Sequence, residues 1–252
     1  MRSEDNGLIA TEKGLQVLTD KKKIALFAYN FPHRKTQDFI FKMHVEGHTP
    51  DLIIAADPIK LSIPPASVRT KVRHCGTMHP RNIAETLGIP YVVLPHNNKK
   101  VVTAVEEHGI DLAVIAGARI LKKHIIDAFG LGIINYHPGL IPQTRGLDAM
   151  MWSVHNDIPQ AITAHLIDPR IDAGRIMFVE ELPIWADDTP FDVQERLYEM
   201  QIDMIPRSIE MAIAGEGYDI GENADHNTKM DPETEAETLR RFPAYVTKRA
   251  TR

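Results

Sequence analysis

Asn135 and His137 stand one residue apart in the stretch 133-IINYHPGLIPQTRG-146, where an apolar run gives way to Pro138, Gly139 and Pro142. In an extended segment residues i and i+2 point to the same side. The amide and the imidazole are therefore presented together, with Tyr136 opposite. An asparagine amide donates two hydrogen bonds and can hold a developing oxyanion. An imidazole can accept or deliver a proton near neutral pH. A polar pair at a strand end can equally satisfy loop backbone, and the pair alone leaves both readings open. Asp172 bears on the choice, because it lies in an I-D-A-G loop between two later apolar segments. A carboxylate beside an imidazole raises its basicity and fixes its tautomer. Together Asn135, His137 and Asp172 suit acyl transfer to an amine. Neither Ser nor Cys occurs in N-Y-H-P-G, which speaks against a covalent acyl-enzyme.

These residues need elements to hold them. IALFAY (24–29), DLIIAAD (51–57), YVVLP (91–95), DLAVIAG (111–117) and GIINYH (132–137) are short apolar runs of strand length. Between them lie helical patterns over 36–48, 80–88, 101–109 and 121–129, with Gly47, Gly88 and Gly109 as stops. Alternation of unbroken apolar strands with helices predicts a doubly wound α/β fold with a mostly parallel sheet covered on both faces. In such a sheet ligands bind outside the carboxyl ends of the strands, and Asn135 and His137 occupy one such end. No G-x-G-x-x-G follows a strand, so dinucleotide binding of the usual kind is unsupported.

Beyond His137 the pattern changes. A helix is expected over 146–157, and AITAHLID (161–168) and RIMFVEELPI (175–184) read as a hairpin around Gly174. A long helix is expected over 189–215, with Thr189 as its cap, Pro190 in its first turn and Pro206 kinking or splitting it. Residues 1–22 and 216–252 read as polar extensions flanking a catalytic unit over 23–215.

Composition narrows the function classes. With 29 basic and 34 acidic residues the net charge is −5, which argues against a nucleic-acid partner. A single cysteine, Cys75, forbids an intrachain disulfide and fits a cytoplasmic location. The start lacks the pattern of a secretory leader, and no apolar run is long enough to span a bilayer. His74, Cys75 and His79 match no standard zinc spacing, so no metal is expected.

Taken together, N-Y-H-P-G-L-I-P-Q-T-R-G resembles the N-x-H-x-S-L-L-P-x-x-R-G signature of the folate-dependent formyltransferases. IDAGRI resembles their D-x-G-x-I loop, and DLAVIAGARIL (111–121) is similar to the strand and turn before their folate pocket. The resemblance runs over roughly 85–200 and implies a Rossmann-like formyltransferase fold with a C-terminal hairpin and long helix. It implies N10-formyltetrahydrofolate as co-substrate. Asn135 would then bind the formyl oxygen, His137 would be the catalytic imidazole, and Asp172 would set its state and help move the amine's proton. The pterin would dock on Arg119, Ile120, Leu121, Asp168, Pro169, Arg170 and Ile171. Gly139 departs from the pattern, which usually has Ser there.

The resemblance leaves several acceptors. The glycinamide ribonucleotide enzymes carry a Gly-rich phosphate loop after the first strand, where this chain reads FAYNFPHRK. The methionyl-tRNA enzymes add a C-terminal domain for which residues 216–252 leave too little chain, and the hydrolases an N-terminal one. The remaining expectation is an acceptor that is a small amine, a nucleotide-linked amino deoxysugar used for surface polysaccharide, handled by a possible homodimer. Glycinamide ribonucleotide, or an idle homologue that binds folate or a sugar nucleotide, is the alternative. His33, Arg34 and Lys35 would meet a pyrophosphate or form a solvated turn. Trp152 with Met150 and Met151 reads as a helix packing face.

Overall fold

The computed structural model describes residues 21–60, 76–169, 174–220 and 226–251. Each apolar run of the first half forms a strand: β1 (Ile24–Tyr29), β2 (Leu52–Ala56), β3 (Tyr91–Val93), β4 (Leu112–Ile115) and β5 (Gly132–His137). Helices α1 (Arg34–Val45), α2 (Pro80–Leu87), α3 (Lys100–His108) and α4 (Lys123–Ile126) alternate with them. Then come α5 (Ala149–His155), β6 (Ala161–Leu166), β7 (Arg175–Glu181), α6 (Pro190–Asp203), α7 (Ile205–Ala214), β8 (Tyr218–Asp219) and α8 (Pro232–Arg249).

The strands make one eight-stranded sheet in the order β3-β2-β1-β4-β5-β6-β7-β8. The first five are parallel, and β6, β7 and β8 join antiparallel. The order reverses between β1 and β4, which places the switch point at the carboxyl ends of those two strands, next to β5.

Strand periodicity divides the core between the two faces. Leu26, Ile53, Val114, Ile134 and Tyr136 pack with α1, α2, α6, α7 and α8, whereas Phe27, Ile54, Ala113 and Ile133 pack with α3 and α4. Asn135 and His137 share the parity of Ile133. Tyr136 points the other way: its hydroxyl donates to Ser208 Oγ at 2.6 Å, and Phe39 meets its ring edge-on.

Element ends follow local chemistry. Gly88 and Gly109 close α2 and α3 in the left-handed region at φ 66° and 62°, where a Cβ is disfavoured. Thr189 and Asp192 form a capping box at the start of α6, and Pro206 falls in the first turn of α7, so the long helical segment is split. Three local expectations differ. The α1 helix begins before 36 because the His33 ring accepts from Thr36 N. The α4 helix is a single turn, since Asn97 Oδ1 accepts from Lys122 N and Asn97 Nδ2 donates to Ile120 O. No helix was read over 216–252, yet α8 has Asp231 as cap and buries Thr238, Phe242, Tyr245 and Val246. That spacing is a helical stripe, masked in the sequence by high charge and by Pro243.

Candidate active site

At the end of β5 the antiparallel register places His165 opposite Asn135 and Thr163 opposite His137. Both partners are fully buried. Asn135 Nδ2 donates to His165 Nε2 at 3.2 Å. An amide nitrogen can only donate, so His165 accepts on Nε2 and the bond holds the Asn135 amide plane. His137 is buried as well, and its Nε2 lies 2.7 Å from the Thr144 carbonyl oxygen. A carbonyl only accepts, so Nε2 carries the proton and Nδ1 is the basic nitrogen of the neutral ring. Sequence reading missed His165 and Thr163. Their signal was the same i, i+2 spacing as Asn135 and His137, on a strand expected to form a hairpin with the next.

The loop after His137 is braced from β6. Thr163 Oγ1 donates to Gly139 O at 2.7 Å and accepts from Ile141 N at 3.2 Å. Thr144 N donates to Leu140 O at 2.8 Å, which turns the Thr144 carbonyl back toward the imidazole. Gly139 has no room for a side chain. A Cβ there would lie 2.5 Å from Thr144 Oγ1 and 2.8 Å from both Ala149 Cβ and His137 Nε2. The departure from Ser at this position therefore goes with a fully buried Thr144 that fills the space.

A cavity of about 390 Å³ opens at the ends of β4 and β5. Asn135 lines it together with Arg119, Ile120, Leu121, Asp168 and Pro169, which the sequence reading had grouped as one binding surface. Ile115, Ala118 and Ile167 supply further apolar wall. Arg170, Ile171 and Asp172 lie outside the described residues. At Gly174 a Cβ would collide with the Leu166 carbonyl, so this position needs glycine to lie against the end of β6. Asn97 clamps the 120–122 wall through the two bonds given above. The remaining wall, residues 226–229, comes from a segment that sequence reading gave no role in the site.

The basic trio after β1 is not a solvated turn: Arg34 and Lys35 open α1, and all three side chains meet protein partners. Arg34 pairs with Glu195 at 2.8 Å and lies over the Tyr198 ring. Lys35 Nζ donates to Gln201 Oε1 at 2.7 Å, and burial pushes its ammonium down to about 8. His33 caps α1 and is shifted down by burial and by Lys35. Trp152 meets His155 edge-on, and its indole N–H donates to Thr228 O at 3.0 Å. Among the described residues no cluster of His, Cys, Asp or Glu could hold a metal; His74 and Cys75 lie outside them, and His79 caps α2. No helix among them is long and apolar enough to cross a membrane.

Residues 90–209 match the family model described as formyl transferase. Methionyl-tRNA formyltransferase of Fusobacterium nucleatum subsp. nucleatum is 32% identical over 106 residues, which are 42% of this chain and 34% of that protein. The chain thus spans about a third of the length of that curated relative. A solved sugar N-formyltransferase from Shewanella sp FDAARGOS_354 superposes with a TM-score of 0.58 at 21% identity, covering 87% of each chain. The formyltransferase PseJ from Anoxybacillus kamchatkensis, in complex with UDP-4,6-dideoxy-4-formamido-L-AltNAc and tetrahydrofolate, gives 0.53 at 19% identity over 86% of this chain and 97% of that one. At these identities the two structures speak for the fold.

Proposed function

We propose, from the match of residues 90–209 to the formyl transferase family model, that this protein moves a formyl group from N10-formyltetrahydrofolate to the primary amine of a small acceptor. The observation that carries the reading is Asn135 on the wall of a largely apolar cavity, with the tautomer-fixed His137 two residues further along the strand. Arg119–Leu121 and Asp168–Pro169 on the same cavity fit a flat fused heterocycle, which needs apolar faces and a polar edge. The donor supplies an activated formyl carbon. Asn135, held by His165, donates a hydrogen bond to the formyl oxygen as charge develops there. His137 takes up the proton the attacking amine releases, Asp172 sets the state of that imidazole, and the proton passes to N10 of tetrahydrofolate as the bond from N10 to the formyl carbon breaks.

For the acceptor we propose a nucleotide-linked amino deoxysugar. The turn after β1 supports this over a phosphoribosyl acceptor. It reads N-F-P-H, with Phe31 stacked on Tyr29 at 5.2 Å, and Pro32 has no N–H, so it offers no run of backbone donors to cradle a phosphate. Sugar N-formyltransferases and phosphoribosylglycinamide formyltransferases share this fold, so the fold itself is compatible with the sugar acceptor. Work in the cytoplasm as a homodimer fits this reading.

The test is to incubate the purified chain with N10-formyltetrahydrofolate and a panel of amines, following tetrahydrofolate release. The panel holds nucleotide-linked 3- and 4-amino deoxysugars, glycinamide ribonucleotide and free amino sugars. Turnover with a nucleotide sugar is expected. Asn135→Ala should lower kcat about 10²- to 10³-fold, and His137→Ala about 10²- to 10⁴-fold. Folate binding without turnover on any amine would remove the transferase reading, and failure to bind folate would remove the family-based site.

A further inference from the structure

Three peculiarities of the segment after the active-site loop share one cause. Gly146 sits at φ +96°, and a Cβ there would collide with the main chain of Asn227. Asp148 is left-handed at φ 51°, a conformation unusual for a residue with a side chain. It precedes α5 yet makes no cap bond, because its carboxylate reaches instead to Met230 N at 2.9 Å. Trp152 spends its indole N–H on the carbonyl of Thr228. All three hold residues 226–230. Two main-chain bonds complete the attachment: Asn227 N to Arg145 O at 2.7 Å and Leu147 N to Asn227 O at 3.0 Å. The strap so fixed lies outside the residues that match the family model and forms one wall of the cavity lined by Asn135.

We propose that the strap 226–229 is a binding element for the formyl donor, and that Gly146, Asp148 and Trp152 are the positioning residues that seat it. This rests on the donor reading of the cavity given above. Leu121 and Ile167, which follow β4 and β6, line the cavity together with Leu147 and the strap. A heterocycle bound in it meets the strap only while the strap is seated. The chain thus closes its co-substrate site with a segment about 80 residues downstream of the loop it attaches to, as the Trp152 to Thr228 bond illustrates with its separation of 76.

The test uses the full chain and two variants. Asp148→Gly keeps the left-handed backbone free of strain but deletes the anchor for Met230 N. Asp148→Asn keeps an oxygen that can accept from it. Tetrahydrofolate binding is titrated directly, hydrogen exchange is read at the 226–230 amides, and the donor KM and kcat are measured. The expected result is a Kd for tetrahydrofolate and a donor KM about tenfold higher in Asp148→Gly, with kcat at saturating donor within about twofold, and near recovery in Asp148→Asn. Tetrahydrofolate should slow exchange at 226–230 in the wild-type chain and much less in Asp148→Gly. If the wild-type chain binds tetrahydrofolate while Asp148→Gly binds it equally well and exchange in the strap is unmoved, the strap is no part of the site. If the wild-type chain binds no tetrahydrofolate, the donor reading itself falls and the strap's role falls with it.

Discussion

Gly139→Ser places the residue usual in the formyltransferase signature at a position with no space for it. The new Cβ would meet Thr144 Oγ1 at 2.5 Å, and Ala149 Cβ and His137 Nε2 at 2.8 Å. None of these neighbours is the free end of a flexible chain. Thr144 is fully buried, Ala149 opens α5, and His137 is held at 2.7 Å by the Thr144 carbonyl. Overpacking of this kind costs about 1–3 kcal/mol. For a chain of this size that corresponds to roughly 2–12 °C in Tm. The same displacement moves the His137 imidazole, the proposed proton acceptor, and a shift approaching 1 Å at a reacting group costs on the order of 10² in rate. Gly139→Ser should therefore lose both thermal stability and about two orders of magnitude in kcat, with binding at the proposed donor positions Arg119–Leu121 less affected. Adding Thr144→Ala removes the Oγ1 contact but not the other two, and should recover only part of each loss. Thermal denaturation needs no acceptor, so it can be measured before the substrate is known; tetrahydrofolate release then gives kcat. A Gly139→Ser protein with wild-type Tm and turnover would refute the claim that Thr144 has taken the space of the signature serine.

Two further outcomes test the packing on the opposite face. Tyr136→Phe leaves Ser208 Oγ, which already donates to Ile205 O at 2.8 Å, without its buried donor. The loss should be about 1–2 kcal/mol in denaturant titration, with turnover unchanged because Tyr136 points away from the site. Lys35, with its ammonium at about 8 against an ordinary 10.5, carries a folding penalty that is full below pH 8. The penalty fades as pH rises from 8 to 10.5, because the unfolded chain binds the proton more tightly over that range. The stability of the wild-type chain relative to Lys35→Met should therefore rise across that window, by at most about 3 kcal/mol. A flat difference between the two proteins from pH 7 to 11 would show that the Lys35 ammonium is solvated.

The sequence by itself determined the strand and helix order, the parallel sheet covered on both faces, and the presentation of Asn135 and His137 together at a strand end. These follow from local rules: apolar runs of strand length, glycines such as Gly88 and Gly109 where the backbone turns left-handed, and the two-residue period of a strand. Arg119–Leu121 and Asp168–Pro169 were named only through the resemblance to the formyltransferases, and the structure places them together on one cavity. Tertiary structure alone decided what holds the chemistry in place. His165 reaches Asn135, and Thr163 braces the loop after His137, because β6 pairs antiparallel with β5 in one register. A shift of one residue would have turned both partners away. Arg34 and Lys35 read as exposed until α6 is placed across them, some 160 residues on, as the separations to Glu195 and Gln201 record. The strap on Gly146, Asp148 and Trp152, and the crowding at Gly139, depend likewise on contacts between distant segments. No local pattern encodes these contacts, because each exists only once the sheet has ordered the chain.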